Sequence, residues 1–231
     1  ATDLSGPVTE TSGRHPLPDP AALAARLGAL GVTADMPVVC YDAADGAFAA
    51  RAWWLLRWLG HAAVAVLDGG FAAWTAAGLP TVTGDERHLG ADTPALPIKS
   101  PRVHAVAVEE IARCLGSPRR LLVDARAAER YRGERELIDP VAGHIPGAVN
   151  RPFSDNLADG RFKPAGLLAA EWQALLAGHA VDHAIAYCGS GVTACHHLLA
   201  LAHAGMPGAR LYAGSWSEWC RDPARPVARG A

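Results

Sequence analysis

Along residues 20–76 the apolar positions switch repeatedly between helical spacing and short unbroken runs. Residues Pro20 to Leu30 read as a helix with Asp19 as its cap. The run "MPVVCYD" is short and β-branched, as a buried strand is, and "AFAARAWWLLRWLG" has helical spacing that stops at Gly60. A second strand follows in "AVAVLDGG", closed by a glycine turn, then a short helix in "FAAWTAAG". The alternation resumes with "AVEEIARCL" (helix), "RRLLVDAR" (strand) and a loop to "GHIPGAVNRPF". It continues through a helix around 165–178, the strand "HAIAYCG", a helix from Val192 to Ala204, the strand "ARLYAG" and the segment "SWSEW". Strands alternating with helices over short connections predict an α/β fold built on doubly wound, mostly parallel sheets.

The two halves repeat one another. When "VVCYDAADGAFAARAWWLLRWLGHAAVAVLDGGFAAW" is set over "AIAYCGSGVTACHHLLALAHAGMPGARLYAGSWSEW", Tyr41 and Asp42 fall on Tyr187 and Cys188. After one residue is lost in the loop, Gly46 meets Gly191, Gly60 meets Gly205, Gly69 meets Gly214 and Trp74 meets Trp219. A strand–loop–helix–strand unit used twice predicts two domains of the same design. The polar, proline-containing stretch "TGDERHLGADTPALPIKSP" separates them, giving a first domain at 1–86, a linker at 87–99 and a second domain at 100–231. The opening residues are rich in turn formers and start without Met, so the first domain is expected to be incomplete at its N-terminus.

Composition narrows the function. Half of the 231 residues are hydrophobic and 19% are charged, which is globular usage. A formal net charge of −2 offers no electrostatic case for nucleic acid or an acidic membrane. No run of about 18 apolar residues is present, so no membrane partner is expected. The five cysteines (Cys40, Cys114, Cys188, Cys195, Cys220) are odd in number and scattered, as thiols in a reducing cytoplasm would be.

Only the second copy of the repeat carries a cysteine at the head of its loop; the first has Asp42 there, which cannot act as a sulfur nucleophile. A strand running into Gly189, Ser190 and Gly191 lets successive backbone N–H groups converge on one point, and a helix starting near Val192 adds its positive end. Such a loop stabilises a thiolate and makes Cys188 a nucleophile, with hydroxyl donors available from Ser190 and Thr193. The opposing reading is a packed, inert thiol, which is how Cys195, about two helical turns further on, is read.

The stretches "YCGSGVTACHHLLAL", "VDARAAERYRG" and "GHIPGAVNRPF" resemble the C-terminal catalytic domain of tandem-domain rhodanese-type sulfurtransferases. "VVCYDAADGAFAARAWWLLRWLGH" and "LDGGFAAW" resemble their non-catalytic N-terminal domain, so the likeness spans essentially the whole chain. It implies two repeated rhodanese-like domains and no cofactor or metal. It also implies a Cys188 that takes a sulfane sulfur from a small anionic donor and passes it to cyanide or a thiol. Gly189, Ser190, Gly191, Val192 and Thr193 then form the loop that holds the anion.

The resemblance also bears on the donor. Members specialised for thiosulfate carry basic residues in the loop, whereas those acting on 3-mercaptopyruvate tend to have Gly-Ser-Gly, as Gly189 to Gly191 are here. Arg130 in "ERYRG" matches an arginine that binds the donor anion, and a guanidinium suits a carboxylate or sulfonate through paired hydrogen bonds. The mercaptopyruvate enzymes use a second arginine further along. That stretch is shorter in this chain, leaving Arg132 and Arg135 as its candidates. Asp124 and Arg126 match a pair that ties down loop backbone, and His144 is read as fixing a turn. A histidine that such enzymes use in a first-domain "HIPGA", with an upstream Asp, is absent from the sequence. The favoured donor is therefore 3-mercaptopyruvate, with thiosulfate second.

Other classes fit less well. A cysteine-dependent phosphatase needs an arginine at position 194, where this chain has Ala. Zinc ligation by Cys188, Cys195, His196 and His197 fails because adjacent helix positions point about 100° apart. A non-catalytic binding or sensor module of the same fold would commonly have lost the cysteine.

Overall fold

Each strand read from an apolar run is present, and each is shorter than its run. The computed structural model describes residues 4–84 and 94–230. In the first half the order is α1 (Pro20–Ala29), β1 (Val38–Cys40), α2 (Ala47–Trp58), β2 (Val64–Val66) and α3 (Gly70–Ala76). Asp19 does cap α1, its carboxylate accepting from the Ala22 N–H at 2.9 Å. The second half opens with β3 (Ala105–Val106), α4 (Val108–Cys114), β4 (Leu121–Asp124), α5 (Ala128–Tyr131) and β5 (Val149–Asn150). After these come β6 (Leu157–Ala158), β7 (Arg161–Phe162), α6 (Ala165–Leu176), β8 (Ala184–Tyr187), α7 (Ala194–His203), β9 (Arg210–Tyr212) and α8 (Ser215–Trp219).

The sheet of the second half runs β3-β9-β8-β4-β5, and every pairing in it is parallel. In the first half β1 pairs parallel with β2, and β6 and β7 form a separate antiparallel hairpin. Elements β3, β5, β6 and β7 have two residues each, too few for a period to show in the sequence. Among the described residues the first half has a two-stranded sheet, against a five-stranded sheet and the separate hairpin in the second.

The repeat survives in three dimensions. Units β1-α2-β2-α3 and β8-α7-β9-α8 have the same order and the same parallel pairing. Gly46 and Gly191 turn their strands into the following helices with φ of 78° and 80°, a left-handed conformation that glycine adopts freely. A Cβ on Gly191 would in addition collide with the Ala213 carbonyl oxygen. One sequence expectation is corrected here: α7 starts at Ala194, and Val192 and Thr193 form the turn that leads into it.

Side-chain alternation along β8 positions the site. Ile185 and Tyr187 enter one core with Leu122, Ile145, Trp216 and Trp219. Ala184, Ala186 and Cys188 face the opposite core, shared with Trp54 and Leu55 of α2, Trp172 of α6 and Leu198 of α7. Because α2 belongs to the first half, the period of 2 aims Cys188 at the junction of the halves. Of the expected linker, 87–93 lie outside the described residues. From residue 94 the chain runs along the first half, where Leu96 is buried and its N–H donates to Ala24 O at 2.9 Å. No helix among the described residues is long and apolar enough to cross a membrane.

Candidate active site

Strand β8 ends at Tyr187, and the next residue, Cys188, is buried at the bottom of the loop. Its Sγ accepts from the Gly191 N–H at 3.1 Å and the Ser190 N–H at 3.5 Å. The backbone that holds it is itself tied from β9 and α8. Cys188 N–H donates to Ser215 Oγ at 3.1 Å, and Cys188 O and Gly189 O accept from Trp216 N and Ser217 N at 2.9 Å each. Ser215 has φ of 56°, uncommon for a residue with a Cβ. In the first half the equivalent position is Gly70, at φ 55°. The serine tolerates the conformation because its hydroxyl also donates to Tyr212 O at 2.9 Å, fixing the loop floor.

Beside the loop lies a cluster of guanidinium and carboxylate groups. Arg126 pairs with Asp124 (2.7 Å), reaches Glu136 (3.5 Å) and donates to Gly143 O (2.7 Å), so it ties down loop backbone as expected. Burial is the largest influence and works against its charge, but Asp124, with Tyr187 and Glu136 adding to it, pushes the guanidinium further toward protonated. Arg130 donates to both oxygens of Glu136 (2.7 and 3.0 Å) and to Asp139 (3.1 Å). Asp139 also forms an ion pair with Arg14, a residue of the first half. A Cβ built on Gly189 would lie 2.9 Å from Arg14 Nη2 and 3.4 Å from Arg130 Nη1, so both guanidiniums border the residue next to Cys188.

More of the first half reaches this loop. His15 Nδ1 is 2.8 Å from Ser190 Oγ. Burial first, then the charges of Arg14 and Arg51, hold the His15 imidazole below its ordinary range, so at neutral pH it is uncharged. Arg51 of α2, fully buried, donates to Gly191 O at 3.3 Å and to His15 O at 3.3 Å, clamping the two segments together. Arg14, His15, Arg51 and Asp139 were not singled out from the sequence. The adjacent Arg14 and His15 ahead of "PLPDP" are a signal that has no partner until the fold supplies one.

Several sequence-predicted residues stand elsewhere. Arg132 lies at the surface paired with Glu134 (2.7 Å), and Arg135 is exposed. The one-turn helix α5 rotates successive side chains by about 100°, so Arg130 and Arg132 cannot share a direction. Thr193 makes no side-chain cap bond, and among the described residues Sγ accepts only from Ser190 and Gly191. Val192 shapes the turn through its carbonyl, which accepts from Cys195 N at 3.0 Å. Cys195 is buried in the core, where burial pushes its thiol up to about 12. His144 fixes a turn, its Nδ1 lying 2.8 Å from Tyr131 O.

The strand–loop–helix unit is used twice in this chain, and the rhodanese-like domain family matches it twice as well, at residues 7–77 and 107–222. The chain belongs to it. It is 56% identical over 231 residues to a probable 3-mercaptopyruvate sulfurtransferase of Pseudomonas aeruginosa, covering 99% of this chain and 80% of that one. It is 44% identical over 233 residues to a putative thiosulfate sulfurtransferase of Mycobacterium tuberculosis, covering 99% and 79%. Among solved structures, a 3-mercaptopyruvate sulfurtransferase from Leishmania major superposes with a TM-score of 0.82 at 34% identity, over 95% of this chain and 60% of that one. Within the family the chain therefore stands among the sulfurtransferases.

Proposed function

We propose that Cys188 is the sulfur carrier and that the physiological donor is 3-mercaptopyruvate, with thiosulfate a weaker second. The observation that carries the reading is the pair of amides, Ser190 and Gly191, directed at Sγ beside Arg130. A negative sulfur at that point receives hydrogen bonds that need no rearrangement during the reaction.

In the first step the Cys188 thiolate attacks the donor sulfur. The S–S bond forms as the donor C–S bond breaks, and the electron pair leaves on the donor carbon as the enolate of pyruvate. The proton that the donor thiol loses passes through the Ser190 hydroxyl and the neutral His15 to the enolate carbon, giving pyruvate and leaving the Cys188 persulfide as the anion. With thiosulfate the same attack breaks the S–S bond of the donor, and the pair leaves on sulfite, which needs no proton. In the second step cyanide or a thiolate attacks the terminal sulfur and the Cys188 thiolate departs. Arg130 holds the donor anion, while Gly189, Ser190, Gly191, Val192 and Thr193 form the loop around it. The uncharged Gly-Ser-Gly supports the monoanionic donor, as does the Pseudomonas relative.

Domains at 1–86 and 100–231 with a connecting segment at 87–99 complete this reading, as does a reducing cytoplasm, supported by five unpaired thiols. Intact-mass spectrometry after donor treatment tests the carrier. The expected result is a gain of one sulfur atom, removed by cyanide and absent in Cys188→Ser. Sulfur transfer by Cys188→Ser would refute the assignment. A tenfold or greater kcat/KM advantage for thiosulfate, about 1.4 kcal/mol of transition-state preference, would overturn the donor.

A further inference from the structure

Arg130 has a counterpart across the junction. The side chain of Arg14 comes from the turn-rich start of the chain, and two contacts hold that segment against the start of α8, beside the loop. Arg14 N–H donates to Ser217 Oγ at 3.0 Å, and Gly13 lies so close to Gly214 O that no Cβ could be accommodated. Asp139, its carboxylate 2% exposed, joins the two guanidiniums: Oδ1 takes Arg14 Nη1 and Oδ2 takes Arg130 Nη2.

The atoms left over are the informative ones. Nη1 of Arg14 is used by Asp139, and Nε and Nη2 of Arg130 are used by Glu136 and Asp139. Among the described residues Arg14 Nη2 and Arg130 Nη1 have no hydrogen-bond acceptor, and beyond the loop's own neighbours these are the two atoms that a Cβ on Gly189 would meet first. Both side chains keep a path to solvent, being 27% and 20% exposed. Each guanidinium thus turns one edge to a buried carboxylate and the other to the mouth of the Cys188 loop.

From this geometry we infer that Arg14 is a donor-binding residue, the second half of a two-guanidinium clamp in which Asp139 orients both members. This rests on the sulfurtransferase reading of Cys188 and adds a group from the other half of the chain. The clamp suits an anion with two acceptor groups on one side: the carboxylate and adjacent ketone of 3-mercaptopyruvate, or two sulfonate oxygens of thiosulfate. Burial first and Arg130 second lower the Arg14 guanidinium from its ordinary range, with Cys188 and Glu136 only partly offsetting them, so an arriving anion relieves a repulsion between the two cations. The dianion gains more from this than the monoanion.

The test is steady-state kinetics with both donors on wild type, Arg14→Ala, Asp139→Asn and the double variant, with melting temperatures alongside. Arg14→Ala is expected to lower kcat/KM at least tenfold, chiefly through KM, and to affect thiosulfate more than 3-mercaptopyruvate. Loss of Arg14 also leaves Asp139 with one partner fewer, so the double variant separates charge balance from binding. A double variant still tenfold below Asp139→Asn supports direct contact; recovery to within twofold of Asp139→Asn would overturn it. An Arg14→Ala rate within twofold of wild type for both donors would overturn it as well, while leaving Cys188 as the carrier intact. Wild type that forms no persulfide would instead remove the underlying reading, and this inference with it.

Discussion

Asp42 and Cys188 occupy the same turn in the two halves, and each presents an acceptor to its own loop amides. Asp42 Oδ1 accepts from Ala44 N at 2.8 Å and Gly46 N at 3.0 Å, and Oδ2 accepts from Ala49 N at 2.8 Å. Sγ of Cys188 accepts from Ser190 and Gly191. The first-half nest is thus filled by its own carboxylate, while the second-half nest holds a group that can accept and release a sulfur atom.

With Cys188 as the proposed sulfur carrier, Asp42 is expected to act on stability alone. Asp42→Ala removes a charged acceptor from three amides, one of them exposed enough for water to replace it. We expect a loss of about 2 kcal/mol in urea unfolding, with kcat for sulfur transfer unchanged. A loss of activity in folded Asp42→Ala would show that the first loop has a part in the reaction.

His15 is placed to separate the two donors. Departure of the pyruvate enolate needs a proton and departure of sulfite does not. His15→Gln is expected to lower kcat for 3-mercaptopyruvate by roughly 100-fold and to leave that for thiosulfate within about threefold. Equal effects on both donors would mean that His15 only positions the loop.

Acid should destabilise the fold through two histidines at the junction. Burial lowers His196 to about 4 and His197 to about 3, and Asn156 Nδ2 lies 3.1 and 2.9 Å from their Nδ1 atoms. Both folded values are below the unfolded one, so as pH falls from about 6.5 the unfolded chain takes protons that the folded chain refuses. Stability drops by about 2 kcal/mol per histidine between pH 7 and pH 5. Urea unfolding of wild type and His197→Gln over this range checks it: the variant should show a shallower pH slope, and an unchanged slope would exclude His197 as a source.

The linear chain carried the repeat, the α/β alternation and the cysteine loop by itself, for a local reason. Buried parallel strands such as Ala184–Tyr187 are apolar on both faces, and a strand-to-helix turn at φ 80° needs a glycine such as Gly191. Each of these is written within a few consecutive residues. The partners of Cys188 are not. His15 and Ser190 are 175 positions apart, and Arg14 and Asp139 are separated by 125. Polar residues in turn-rich segments follow no period, so only the packing of α2 against the second-half core, with Arg51 bonded to both Gly191 O and His15 O, brings them to the loop. Arg132 and Arg135 lie close to Arg130 in sequence yet do not join it, because Arg132 is turned away at the end of α5 and Arg135 is exposed in the segment after it, whereas Arg14 arrives from the other half of the chain. Nearness along the chain determined the cysteine and the amides around it; the docking of the two cores decided which charges face them.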